Sequence, residues 1–438
     1  MTARPTSERA RRRERGAALL VVMVAVALVT ALAVDLAYQA RVSLQIAGNG
    51  RDELRAEAAA RGAVALSRLV LHFQSQLDEA SARTGAMLGQ VASPGAAGGQ
   101  AGGLSMPRPQ IWKLVPVSSM LVSNLFGEGG GSAPAGAPGH AGHPADADGR
   151  RPGPAAEGGP EATFEAVIDD EDRKVNVQLD ALATGGLQGA QLEAFLQLVA
   201  DRRWDFLFER EDEAGQRVSR TDLAIHLKDW VDADQVQSSI TGVQDRPFED
   251  GFGDENFAYD RGPDRYKAKN ARFDSLDELY LVSGVSDAFM AAFGDRLTVY
   301  LSQNSQMNVN ADDPQELLRN ARIMADPKNQ PLLSDPTFPE RLQKAARELR
   351  LGGFLAMTPF QFASLLETLG VVVHPDYTQA RNVDRRGAFT DRSRVFHVRG
   401  TGTVGRVQKS VEAVVTFDPD QARDDAGALG RLLHWHEE

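Results

Sequence analysis

The sequence has no cysteine in 438 residues. That excludes a disulfide framework and any thiolate-held zinc, iron–sulfur or redox centre. Aromatic residues are sparse at 7%, and between residues 127 and 160 there is no Val, Ile, Leu, Met, Phe, Trp or Tyr at all. Such a tract of Gly, Ala, Pro, His and scattered charges cannot bury enough apolar surface to order itself. Excess positive charge is also missing: 48 basic residues face 60 acidic ones, a net charge of −12, which argues against nucleic acid as the main partner. There is no shortage of hydrophobic residues, at 42%, so the chain has material for a real core and for roughly two to three domains.

The acidity is uneven. The first sixteen residues hold six arginines and two glutamates, so a short basic head precedes a long acidic body. Directly after it, Ala17 to Val34 is a run of eighteen residues without a charge. As a helix it is about 27 Å long, close to the hydrocarbon thickness of a bilayer. The arginines would stay on the cytoplasmic side and the body would lie outside. Three readings compete. A secretory signal peptide has a shorter apolar stretch and then a small-x-small cleavage site, whereas this run continues into a helical pattern. A plain membrane anchor fits. The third reading starts from Arg13-Glu14-Arg15-Gly16-Ala17, where a charged leader ends in Gly with no polar spacer before the apolar run. This resembles a type IV prepilin leader. The resemblance implies cutting after Gly16 by a prepilin peptidase, a mature N-terminus at Ala17, and retention of the apolar segment as the first half of a long helix.

One residue departs from that pattern. Most pilins carry Glu at the fifth mature position, where this chain has Val21. That carboxylate neutralises a neighbouring subunit's N-terminal ammonium in an apolar bundle, where an unpaired charge is costly. A subunit without it offers no such pairing to one above, which suits a filament tip; the alternative is that Val21 simply faces lipid.

The helix is expected to run on through Leu66, Leu69, Val70, Phe73 and Leu77, which repeat as one amphipathic face. Gly48 and Gly50 are expected to loosen it. Ile111 to Phe126 is an apolar island expected to pack on the head. Phe164, Ala166 and Ile168, then Val175, Val177 and Leu179, alternate on either side of the charged segment 169–174, which reads as two strands joined by a solvated hairpin tip. Residues 190–350 read as mainly helical. Stripes run through Leu192, Phe195, Leu196 and Val199 and through Leu223, Leu227 and Trp230; Ser275 to Leu279 has the form of a capping box. Further helices are expected from Pro314 and over Phe338 to Leu349. Strand character returns at Val395 to Arg399, with Gly400, Gly402 and Gly405 as turn residues, and at Val407 to Phe417, where alternate residues share a face. The fold class is α+β: a long N-terminal helix packed on a small antiparallel sheet, with a large inserted α-helical domain. The boundaries are a leader at 1–16, the membrane and pilin helix at 17–81, a low-complexity insertion at 82–160, strands at 161–188, the helical insertion at 189–355, strands at 356–420 and a tail at 421–438.

With these elements in order, the chain resembles the K-class minor pseudopilin of type II secretion. The resemblance rests on the leader with Val21, on Lys174 to Val177, on Asp229-Trp230-Val231-Asp232-Ala233-Asp234, on Gly253-Asp254-Glu255-Asn256, on Tyr266 to Asn270, on Ser275 to Leu279 with Val282 and Gly284, and on Met307 to Asn310. It implies a type IV pilin-like fold and a place at the tip of the periplasmic pseudopilus, in complex with minor pseudopilins of the I and J classes, helping to export folded proteins across the outer membrane. It also implies N-methylation after cleavage, a single pass through the inner membrane with the head in the periplasm, and no catalysis. Structural calcium is implied in the helical domain. Asp232 and Asp234, two apart after a helix, and Asp254, Glu255 and Asn256 on a Gly-flanked loop offer the oxygens such a cation needs. A minor pilin of a type IV pilus or competence system is the alternative. DNA binding through helix-hairpin-helix-like segments at 276–285 and 308–310 is opposed by the acids around them. No nucleophile motif, paired-histidine site or phosphate loop supports an enzyme.

Overall fold

The computed structural model describes residues 7–92, 108–126, 161–179, 185–209, 211, 217–243, 246–260, 265–302, 305–326, 330–378, 388–419, 421 and 429–438, with side-chain surroundings from residue 20 onward. In chain order the main elements are helix α1 (Ser7–Ala92), strands β1 (Val117–Ser118) and β2 (Ala162–Asp170), and helices α2 (Gly185–Val199) and α3 (Arg220–Val231). Then come strands β3 (Val236–Val243) and β4 (Arg246–Asp254) and helices α4 (Pro314–Met324), α5 (Phe338–Leu349) and α6 (Pro359–Thr368). Strands β5 (Val395–Val404), β6 (Val407–Thr416) and β7 (Arg431–Glu437) complete the set.

The fold is α+β. Five strands form one antiparallel sheet in the order β7-β6-β5-β2-β1. β2 and β5 are neighbours along their length, with Ala162 opposite Val404 and Asp170 opposite Phe396. Between them the chain makes its whole excursion into the helical unit, whose core includes Phe195, Leu223, Trp230, Leu317, Phe338 and Phe362. α5 spans Phe338–Leu349, the stretch the pattern predicts, started by a proline in its first turn.

α1 lies across the sheet on a face other than the expected one. Its buried positions are Ala56, Ala60, Ala63, Val64, Ser67, Leu71 and Gln74, while Leu69 and Phe73 stay exposed. The reason is the sheet opposite. Gly400 and Gly402 are not turn residues; β5 runs straight through them, and only Gly405, at φ 60°, turns the chain. A Cβ at Gly400 would lie 2.5 Å from the Ala60 carbonyl oxygen, and at Gly402 1.9 Å from that of Ala56. Small residues on the helix meet absent side chains on the strand, so backbone approaches backbone, and bulky residues are turned away from the contact. Gly48 and Gly50 do not interrupt the helix, which is continuous through both. Arg61 then grips Glu437 with two 2.9 Å bonds, and Arg68 donates to the Leu429 and Gly430 carbonyls, fixing β7 to the helix.

The apolar island packs on this assembly. Gln74 accepts from the Ile111 amide at 2.7 Å and donates to the Pro109 carbonyl, and Trp112 meets Phe396 edge-on. β1 then pairs with β2 through Val117 and Ser118.

The charged segment after β2 is not a solvated hairpin tip. Val175–Asn176 pairs in parallel with Leu297–Thr298 instead of returning along β2. Residues 171–173 form a turn of 3-10 helix, and Asp170, Glu171, Asp172 and Lys174 are buried where sheet and helical unit meet. Asp172 Oδ2 accepts from the amides of Arg394, at 2.6 Å, and Val395, at 2.9 Å; Asp170 accepts from Ser393 and Asn308; Arg173 pairs with Glu316. Burial, and then the charge of Asp170, holds the Asp172 carboxyl well above the ordinary carboxylate range. Asp172→Ala strands two amides and should cost about 2–4 kcal/mol, read as a lower urea midpoint. Asp172→Asn, which keeps an acceptor, should cost clearly less; equal losses would refute this account of the junction.

Candidate functional site

α3 starts at a capping box in which Ser219 and Asp222 satisfy each other's backbone amides. It ends on Asp229-Trp230-Val231-Asp232, all four buried. Trp230 anchors that end. Its ring stacks parallel to Phe273 at 6.3 Å, meets Tyr259 at 5.4 Å and Tyr266 at 6.3 Å, and its indole N–H reaches Glu278 at 3.3 Å. The chain that follows is a hairpin of β3 and β4, where the composition predicts a long acidic loop. Asp229 accounts for its attachment: both carboxylate oxygens accept from the Ser238 amide, so this acid faces the hairpin.

Asp232, Asp234 and Glu255 each bring a carboxylate oxygen to within 4.8 Å of the others. Asp232 closes α3, Asp234 lies in the bend before β3, and Glu255 follows β4 directly, so the hairpin's two ends deliver the group. Both carboxylate oxygens of Glu255, and Asp232 Oδ1, are buried without a hydrogen-bond donor. Asp232 Oδ2 pairs with Lys228. Burial, then the charges of Asp232, Asp229 and Asp234, pushes the Glu255 carboxyl up to about 7. Burial, with Asp234 and Asp229 adding to it against Lys228, pushes Asp232 up to about 6. Undonated buried oxygens on converging carboxylates are what a hard cation would satisfy, so this donor set fits one.

Asp254 is not among the three converging carboxylates. Asp254 caps the turn 255–258, accepting from the Asn256 amide and side chain, and Asn256 Oδ1 accepts from the Ala268 amide. They shape the loop that presents Glu255. Asn270 belongs beside the cluster and was missed by the sequence reading. It adopts a left-handed backbone at φ 51°, donates to the Asp234 carbonyl at 2.5 Å, stands next to Glu255, and leaves its own buried Oδ1 without a donor. An Asn where the chain must turn left-handed is the signal that could have marked it. Ser275, read as a capping residue, makes no side-chain cap; residues 276–281 are 3-10 helix, and Glu278 is drawn to the Asp274 amide and to Lys269.

At the other end of the molecule, residues 20–54 of α1 are almost wholly exposed: Leu20 at 64%, Val21 at 66% and Leu28 at 66%. Among the described residues this helix is the one long and apolar enough to cross a membrane. Gly16 and Ala17 fall on its backbone, in the part whose side-chain surroundings lie outside the described residues. Between Gly16 and Asp35 the sequence carries no acid.

No protein-family model matches the chain, and no curated protein is similar to it. Among solved structures, one described as the crystal structure of the GspK-GspI-GspJ complex from the enterotoxigenic Escherichia coli type 2 secretion system is similar to it. The alignment covers 64% of this chain and 81% of that one, at 15% identity and a TM-score of 0.38.

Proposed function

We propose that the protein is a minor pseudopilin of a type II secretion system, at the tip of the periplasmic pseudopilus with minor pseudopilins of the I and J classes. The observation that carries this reading is the division of α1. Residues 56–74 pack on the sheet, whereas residues 20–54 are an exposed rod, apolar through Val34, with nothing among the described residues packed on it. Such a rod needs a bilayer or a bundle of like helices around it. The basic leader, Gly16 before the apolar run, and Val21 where an acid usually stands favour a retained, processed helix with no partner above it. A helical unit inserted between two adjacent strands of the sheet gives the head the bulk of a cap, which favours a pseudopilin over a type IV pilin.

The acidic cluster is read as a structural calcium site held by Asp232, Asp234 and Glu255, with Asn270 beside them. A bound cation supplies positive charge to these oxygens and ties the end of α3 to both ends of the hairpin. No residue is assigned a catalytic role.

Co-expression with a prepilin peptidase tests the reading. Edman sequencing should begin at Ala17, and the processed chain should co-purify with I-class and J-class pseudopilins. A chain still starting at Met1, or cut beyond Val34, would contradict it. So would a processed chain that recovers neither partner.

A further inference from the structure

Among the described residues of the acidic body lies a cleft of opposite character. It measures about 330 Å³ and lies between the C-terminal end of α2 and the face of α4. Four arginines line it, Arg203, Arg296, Arg319 and Arg322, against two acids, Asp201 and Glu316. Asp201 pairs with Arg203 at 2.9 Å, and Glu316 pairs through Oε1 with Arg173 from outside the cleft, keeping a buried Oε2 without a donor. Among the described residues, Arg296, Arg319 and Arg322 have no carboxylate within ion-pair distance.

Arg319 makes this unusual. It is only 6% exposed, and buried arginines are normally paired. Its Nη2 donates to the Arg173 carbonyl at 2.7 Å, and Nε and Nη2 reach Asn320 Oδ1 at 3.4 Å. Those are neutral acceptors, and they leave Nη1 without one. Burial lowers its pKa first; Arg173 and Arg296 press on it with like charge, against the pull of Glu316 and Asp313. Burial lowers Arg322 as well, and its Nη2 reaches only the Leu333 carbonyl, at 3.3 Å. A chain that is otherwise acidic therefore brings three guanidinium groups without a direct ion-pair partner among the described residues to one concave place.

We propose that this cleft is a binding site for a peptide carboxylate, an Asp or Glu side chain or a chain terminus of a protein that docks on the head. Guanidinium forks match carboxylates in two-pronged geometry. The rest of the lining suits a peptide rather than a free inorganic anion: Leu198 and Leu318 give apolar contact, and the Gln315 amide can bond a backbone. The volume is at the small end for ligand sites, the size of one or two residues. The site is independent of the secretion reading, since it follows from this chain's own arginines.

The detergent-solubilised full chain can be titrated with three probes at constant ionic strength: acetyl-Glu-amide, acetyl-Ala-Glu with a free terminus, and inorganic phosphate. Saturable binding of the peptides is expected, and at least ten-fold weaker binding after Arg296→Gln with Arg322→Gln. Arg399→Gln, which lies on the sheet outside the cleft and pairs with Glu412, should change binding less than two-fold. An unchanged far-ultraviolet circular dichroism spectrum and urea midpoint show that each variant has kept its fold; if the double variant loses them, the single substitution Arg322→Gln replaces it, with a three-fold loss expected. The two peptides distinguish a side-chain carboxylate from a terminus. No saturable binding, binding unchanged in the arginine variants, or saturable binding of phosphate alone would overturn the proposal.

Discussion

Chelation of divalent cations is expected to lower the melting temperature of the protein by about 5–10 °C at pH 8 and by little at pH 5. The size follows from linkage. A ligand at about a hundred times its dissociation constant stabilises the folded state by about 2.7 kcal/mol, and each kcal/mol moves a domain of this size by about 2–4 °C. The pH dependence follows from the two raised carboxyls. In the cation-free state Glu255 titrates near 7 and Asp232 near 6, whereas both titrate near 4 in an unfolded chain. Between these values the folded state holds more protons, so its stability falls as pH rises through that window. At pH 8 the cation-free site is charged and repulsive, and a cation removes the penalty. At pH 5 the two acids are largely protonated and offer it little. Glu255→Gln should therefore remove the chelator response and, in chelator, melt above the parent chain at pH 8. Asp232→Ala with Asp234→Ala should also remove the response, though it breaks the Lys228 pair as well. Differential scanning calorimetry at the two pH values decides the matter: an absent response in the parent chain at pH 8, or an undiminished one in both variants, rules the calcium site out.

The acidic cluster was legible in the sequence only in part. Two acids two residues apart after a helix marked Asp232 and Asp234, because spacing along a chain end is a local property. Glu255 was found in the same run as Asp254 and Asn256, but nothing local distinguished the acid aimed inward from the two residues that cap the turn. That choice depends on the hairpin, and the hairpin was illegible. β4 reads Arg-Pro-Phe-Glu-Asp-Gly-Phe-Gly-Asp, with no apolar alternation and with residues depleted in strands. It is held by backbone pairing to β3 and by the Asp229–Ser238 bonds, which composition does not display. By contrast, β6 was legible, since Val411, Ala413 and Val415 face the core at period two. The acidic segment 169–174 misled for a further reason. Charge density usually marks solvent, and here Asp170 and Asp172 accept from specific donors far along the chain, at Ser393, Arg394 and Val395.

Gly402→Val is expected to be the most damaging single change on the sheet, costing more than about 3 kcal/mol. Overpacking of a core normally costs about 1–3 kcal/mol, because side chains can shift. Here they cannot. The new Cβ would sit 1.9 Å from the Ala56 carbonyl oxygen and 2.7 Å from the Ala60 nitrogen, both of them helix backbone. Relief requires moving α1 off the strand by more than an ångström, which opens the Val64 and Leu71 contacts with Phe396, Val398 and Val411. A smaller residue on the helix would not rescue it, since the obstacle is not a side chain; Ala56→Gly combined with Gly402→Val should remain as unstable as Gly402→Val alone. Thr401→Ala, one residue away on the other face of β5, should change stability by less than about 0.5 kcal/mol. Urea unfolding measures all three, and a Gly402→Val chain within 1 kcal/mol of the parent would show that the helix does not sit on the strand as described. The same displacement carries a functional consequence. The exposed apolar rod and the head share one continuous helix, so shifting its contact with the sheet re-aims the head relative to the rod. If the head caps a filament, a Gly402→Val chain that still folds should be processed at Gly16 like the parent yet recover less of its I-class and J-class partners.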